Sequence, residues 1–275
     1  MQVACPCIGG ISMLHKVIAL SEHAKLHVYV SDIRMNPEPR DGLLIIPGGG
    51  YWFVSMDREG EPMALTFCGK GMNCFVLEYS VGEHALFPQP LREAALAMAH
   101  IKEHAQEYDV NPDRIFAVGF SAGGHLAGAL GNFWHARELT GVDPTLAKPK
   151  GTLLVYPVIS SGMFSHKGSF ERLLGTDAPT QEQLDAWSLE KQVTEHTVPA
   201  FLVHTAEDQA VPVENSLLYA TALSQQKIPM ELHIFPRGKH GLALANEITA
   251  GNPEANVPEF AQWPTLAYDW MRRTL

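Results

Sequence analysis

A β-forming run, Ile115-Phe116-Ala117-Val118, meets Gly119-Phe120-Ser121-Ala122-Gly123 and passes at once into a segment rich in Ala and Leu. That order of strand, sharp turn and helix constrains the fold more than any other stretch of the chain. A G-x-S-x-G turn throws the serine hydroxyl out where the strand ends and the helix begins. The serine backbone is strained there, and the flanking glycines keep side chains from colliding around the turn. The segment predicts both a crossover topology and a nucleophile, Ser121.

The rest of the chain repeats the alternation. Residues 26–31, 43–46, 74–79, 153–156, 200–204 and 231–235 read as strands, with a turn at 36–39. Residues 61–68, 91–108, 217–225 and 265–273 read as helices, the second of them ended by Asn111-Pro112. Strands separated by helices imply crossover units, hence an α/β chain with a doubly wound, mainly parallel sheet flanked by helices. Reactive loops gather at the carboxyl ends of such strands. The 275 residues fit one domain. Residues 160–198 break the alternation and read as a small lid or pocket wall, against the plainer alternative of a surface excursion carrying one helix.

A serine hydroxyl needs a base, and the base needs a carboxylate to orient it. With this turn the chain order is serine, acid, histidine. Residues 199–203 read as a strand, and Asp208 lies in the polar loop beyond it. After the last strand, Pro236, Gly238 and Gly241 break the structure around His240, where a mobile general base belongs. The chain has 13 histidines, so His240 must be weighed against others. His233 alternates within its strand, His204 precedes Asp208 and would break the order, and His125 reads as structural, one turn into the helix. Glu207 is the rival acid; Asp208 is preferred because it begins the turn into Val211-Pro212.

Acyl transfer also requires donors for a developing oxyanion. Residues 43–51 read LLIIPGGGY, an apolar strand running into three glycines whose backbone can approach a ligand closely. The expected donors are the N–H groups of Gly49, Gly50 and Ala122. A phosphate loop fits worse, since neither G-x-G-x-x-G spacing nor a Gly-Lys-Ser/Thr ending is present. Tyr51 and Trp52 directly follow the glycines and are candidates to shape a substrate pocket, as are Phe164 and Trp187 within 160–198.

Together these residues resemble the α/β-hydrolase superfamily, in its esterase and lipase branch. The likeness is strongest to the bacterial acetyl-esterase or acetylxylan-esterase-like group with a PGGGY loop. It is carried by Pro47 to Tyr51, Arg58-Glu59-Gly60-Glu61-Pro62, Leu77-Glu78-Tyr79-Ser80-Val81, the turn with His125, His204 to Asp208 and Lys239-His240-Gly241. Pro47 departs from the histidine of the wider lipase H-G-G-G pattern and fixes φ ahead of the glycines. The resemblance implies a Ser121-His240-Asp208 acyl-enzyme mechanism on short-acyl, chiefly acetyl, carboxylic esters, including those of sugars, with no cofactor or metal. A formamidase-type amidase shares the scaffold. A prolyl-oligopeptidase-like peptidase shares the triad but needs a propeller for which there is no room before Leu43. A non-catalytic binder would be expected to lack the serine or histidine.

The net charge of −10 argues against nucleic acid and anionic membranes as partners, leaving a small-molecule ester, with a homodimer open. No apolar run reaches membrane-span length. The first residues lack a cationic stretch followed by an apolar one, which predicts a cytoplasmic protein. Cys5, Cys7, Cys68 and Cys74 lack metal spacing and read as reduced thiols.

Overall fold

Strands buried on both faces read as continuous apolar runs, and Leu43 to Ile46 are fully buried. Alternate residues serve opposite layers: Leu44 and Ile46 join the core on one face of the sheet, Leu43 and Ile45 the core on the other. The structure, a computed structural model, describes residues 13–31 and 38–274. Its strands are β1 Met13–Ala19, β2 Lys25–Ser31, β3 Arg40–Ile46, β4 Asn73–Glu78, β5 Val110–Phe120, β6 Thr152–Val155, β7 Ala200–Thr205 and β8 Met230–Phe235. They form one sheet in the order β1-β2-β4-β3-β5-β6-β7-β8. The pairs β1–β2 and β2–β4 are antiparallel and the others parallel.

The helices are α1 Glu61–Cys68, α2 Gln89–Glu103, α3 Ala122–Phe133, α4 Arg137–Thr140, α5 Pro144–Ala147, α6 Lys167–Leu174, α7 Gln181–Trp187, α8 Glu214–Gln225 and α9 Trp263–Arg273. Leu91 and Met98 of α2, Leu126 of α3 and Leu223 of α8 pack on one face of the sheet. Phe67 of α1 and Trp263 and Met271 of α9 pack on the other. The chain has the α/β-hydrolase fold expected of it.

Three differences have local causes. Strand β1 has no counterpart in the sequence pattern, because Met13, Leu14 and Val17 are exposed on an edge and bury no apolar stripe. Helix α2 stops at Glu103, and residues 104–109 form a separate turn closed by the Val110 N–H on the Ala105 carbonyl at 3.0 Å. Strand β6 ends at Val155: Tyr156 still donates its N–H to the Val203 carbonyl at 2.8 Å, but its φ of 37° turns the chain out of the strand. The turn expected at 36–39 is described only for Glu38 and Pro39; Cys5, Cys7 and the first residues also lie outside the described chain.

Candidate active site

Ser121 joins β5 to α3 with φ 54° and ψ −118°, outside the regions an L-residue ordinarily adopts. Two glycines permit the turn by close approach. A Cβ on Gly119 would lie 2.1 Å from the Gly123 carbonyl oxygen, and one on Gly123 would lie 2.1 Å from that of Ile46. The helix thus starts hard against the sheet, with the serine at the junction.

His240 Nε2 stands 2.8 Å from Ser121 Oγ, and its Nδ1 lies 2.6 Å from Asp208 Oδ2. The other oxygen, Asp208 Oδ1, accepts the N–H groups of Ala210 and Val211 at 3.0 and 2.9 Å. His204, fully buried, lies behind the acid at 3.4 Å and is itself held by Ser216 Oγ and the Val211 carbonyl. Burial alone would raise the Asp208 pKa. The hydrogen bonds from His204, His240 and Val211 outweigh it and hold the carboxyl well below the usual carboxylate range. Glu207 is exposed and instead accepts the Gly238 N–H at 3.0 Å. His233 pairs with Glu231 within β8.

The glycine loop turns on itself. Trp52 and Phe53 N–H groups close on the Gly49 carbonyl at 2.9 and 3.2 Å, and Gly49 and Gly50 have φ 129° and 62°. The N–H groups of Gly49, Gly50 and Ala122 have no acceptor among the described residues. Bare donors at a loop and a helix start suit a developing anion.

A buried carboxylate beneath this loop escaped the sequence reading. Glu59, on the helical turn Met56–Gly60, accepts the Gly48 N–H on Oε2 at 2.8 Å and the Tyr156 hydroxyl on Oε1 at 2.7 Å. The same hydroxyl oxygen accepts the Ala243 N–H at 2.9 Å, and the Tyr156 ring meets His240 edge-on, centroids 5.1 Å apart. Arg58 donates to the Gly241 and Thr249 carbonyls. Burial raises the Glu59 pKa, with Tyr156, Gly48, His240 and Arg58 acting to lower it. Only the quoted Arg-Glu-Gly-Glu-Pro string marked the place, without a role.

The pocket expectations fare unevenly. Trp52 is 64% exposed, with the Arg172 guanidinium 5.3 Å above its ring. Tyr51, expected to shape the pocket, is fully buried. Its φ of 59° turns the side chain inward, where the hydroxyl meets buried His125 Nδ1 at 2.8 Å. His125 Nε2 in turn meets the Trp187 carbonyl at 2.8 Å, which makes this histidine structural, as expected. Trp187 is half-buried, edge-on to Phe87 at 4.4 Å and to Phe133 at 5.6 Å. Phe164 is half-buried, with its carbonyl held by Asn215.

Residues 160–198 carry α6 and α7 and pack inward through Phe170, Leu173 and Leu189. Arg172 donates to the Gly50 carbonyl at 3.3 Å, so this segment grips the glycine loop. His166 lies over Gly50 as well, its Cε1 3.8 Å from where a Cβ would stand. Two surface cavities, of 540 and 720 Å³, open at the amino ends of the strands, away from Ser121.

The model of the BD-FAE family matches residues 26–223. Endo-1,4-beta-xylanase B of Butyrivibrio fibrisolvens is 42% identical over 215 residues, 76% of this chain and 33% of that protein. An acetylxylan esterase of Xylanibacter ruminicola is 30% identical over 247 residues, 86% of this chain and 49% of its own length. The chain therefore spans between a third and a half of these relatives. Among solved structures, the acetyl ester-xyloside bifunctional hydrolase of Caldicellulosiruptor lactoaceticus superposes with a TM-score of 0.82 at 33% identity, covering 94% of this chain and 96% of that one.

Proposed function

The chain belongs to the BD-FAE family, and from that premise we propose that it is a serine hydrolase of short-acyl carboxylic esters, acetyl esters of sugars among them. One observation carries the reading: Asp208, His240 and Ser121 stand in hydrogen-bonded series at 2.6 and 2.8 Å. In the mechanism we propose, His240 Nε2 takes the hydroxyl proton as Ser121 Oγ attacks the ester carbonyl. Asp208 holds the ring and favours its charged form. The N–H groups of Gly49, Gly50 and Ala122 receive the oxyanion, each donor being worth roughly 3 kcal/mol in comparable sites. His240 then protonates the departing alcohol, and water, activated by the same ring, releases the acid.

The acetyl preference rests on kinship with an acetylxylan esterase and an acetyl ester hydrolase. No helix among the described residues is long and apolar enough to cross a membrane. The cytoplasm is the proposed compartment, in keeping with the free buried thiols of Cys68 and Cys74. The test is hydrolysis of p-nitrophenyl acetate, butyrate and octanoate beside acetylated xylo-oligosaccharides. We expect acetate to be fastest, acetyl release from the sugar, and no turnover by Ser121→Ala despite unchanged thermal stability. Retained turnover in that variant would sink the assignment, and faster cleavage of formyl amides would replace esterase with amidase.

A further inference from the structure

Glu59 is a charged side chain in the interior, 5% exposed, and the acyl-transfer steps above do not use it. Its surroundings state its ionisation. Both oxygens face donors: the Gly48 N–H on one, the Tyr156 O–H on the other. The Tyr156 hydroxyl donates to Glu59 while its oxygen accepts the Ala243 N–H, and burial keeps the phenol protonated. Donors on both oxygens fit the ionised form as acceptor, acting against the burial that raises the Glu59 pKa.

The location gives that charge a task. Gly48 begins the glycine loop, and a Cβ built on it would sit 2.8 Å from Glu59 Oε2 and 3.0 Å from Ser121 Cβ. Ala243 lies three residues beyond His240, in a loop that is also tied to Arg58 through the Gly241 carbonyl. One carboxylate thus joins the oxyanion loop to the loop of the base. Tyr156, the link, is itself held at φ 37°, a strained position for a non-glycine residue.

We infer that Glu59 is a positioning residue for acyl transfer: it holds the oxyanion loop and the His240 loop in one register and, as a second fixed negative charge near the imidazole, favours the imidazolium formed in the transition state. This rests on the proposed serine-hydrolase mechanism. The other groups around His240 do not duplicate it. Asp208, braced by His204, bonds the Nδ1 side of the ring. His166, held by Ser169 Oγ at 2.8 Å, has its own proton affinity lowered, first by burial and then by His240 and Arg172, so it supplies no compensating charge. Arg58 reaches away to the Thr249 and Gly241 carbonyls. Lys239 pairs at the surface with Glu254, and Glu207 is engaged by Gly238.

The test is Glu59→Gln, read in two ways. NMR titration of the His240 ring needs no substrate. Loss of a nearby negative charge disfavours the charged ring, so its proton affinity falls by about tenfold. In kinetics on p-nitrophenyl acetate, kcat falls by about tenfold or more with KM little changed, and the acid limb of kcat/KM moves to lower pH. A side chain that merely supports the fold would lower stability without moving either the titration or the limb. Unchanged ring titration and unchanged acid limb overturn the inference. A wild type silent on every ester removes the proposed function, yet leaves the ring titration to decide on Glu59. Should Glu59→Gln fail to fold, Tyr156→Phe answers the positioning half: kcat falls at constant KM, and an unchanged kcat overturns it.

Discussion

Asp208 is 4% exposed, and its strongly depressed pKa makes a definite statement about pH. A carboxylate held below its ordinary range stays charged as the solution is acidified. A loss of rate just below neutrality therefore cannot originate in Asp208. Asp208→Asn keeps the shape but removes the charge and favours the wrong tautomer of His240. We expect kcat to fall on the order of 10³–10⁴-fold with the fold retained, whereas Glu207→Gln retains most of the rate; steady-state kinetics on p-nitrophenyl acetate check both. At this scale Ser121, Asp208 and His240 were legible because each sits in a local context, a turn or loop after an apolar strand. Glu59 and Tyr156 were not. Their partners are 11 and 97 positions away, across Gly48 and each other, and no local pattern reports such pairings. The inward turn of Tyr51 is hidden for a related reason, since it depends on a positive φ that adjacency to glycines does not reveal.

At the scale of elements, legibility followed burial. The central strands announced themselves through apolar runs that both layers of helices cover, whereas β1, with exposed Met13, Leu14 and Val17, left no pattern to read. The segment 160–198 was visible only as an interruption, because α6 and α7 are short: α6 packs through Phe170 and Leu173, whereas α7 buries no residue and is held by the Thr180–Gln183 capping box. The junction of β5 and α3 is the least tolerant place in the sheet. A methyl group on Gly123 would stand 2.1 Å from the Ile46 carbonyl oxygen and 2.3 Å from that of Pro47. Backbone on both sides gives it nowhere to go. Gly123→Ala should cost about 3 kcal/mol or more, as overpacking of a rigid site does, and should displace the glycine loop along with the helix. Chemical denaturation and ester turnover, measured together, check that both losses occur.

The whole molecule carries its acid sensitivity in the interior. His125 is fully buried between the Tyr51 hydroxyl and the Trp187 carbonyl, and burial lowers its pKa to about 4, the carbonyl acting only weakly against this. In the unfolded chain the ring takes up a proton near its ordinary value of 6.5. The unfolded state thus binds protons first, and stability is lost as pH falls from about 6.5 toward 4, by about 3 kcal/mol from this residue alone. His100 and His166, also lowered by burial, act in the same direction. Calorimetry across that range should show a steep fall in Tm, and His125→Gln should flatten it while lowering stability at neutral pH.

The bond from Arg172 to the Gly50 carbonyl and the path Tyr51–His125–Trp187 bear on modularity. Residues 160–198 look like a cassette that could be exchanged to retune which acyl or alcohol groups are accepted. They are not freely exchangeable. A graft must bring a cation to the position of Arg172 and a carbonyl to that of Trp187, or the glycine loop loses its outer support. The segment and the glycine loop are, in this architecture, inherited as one unit.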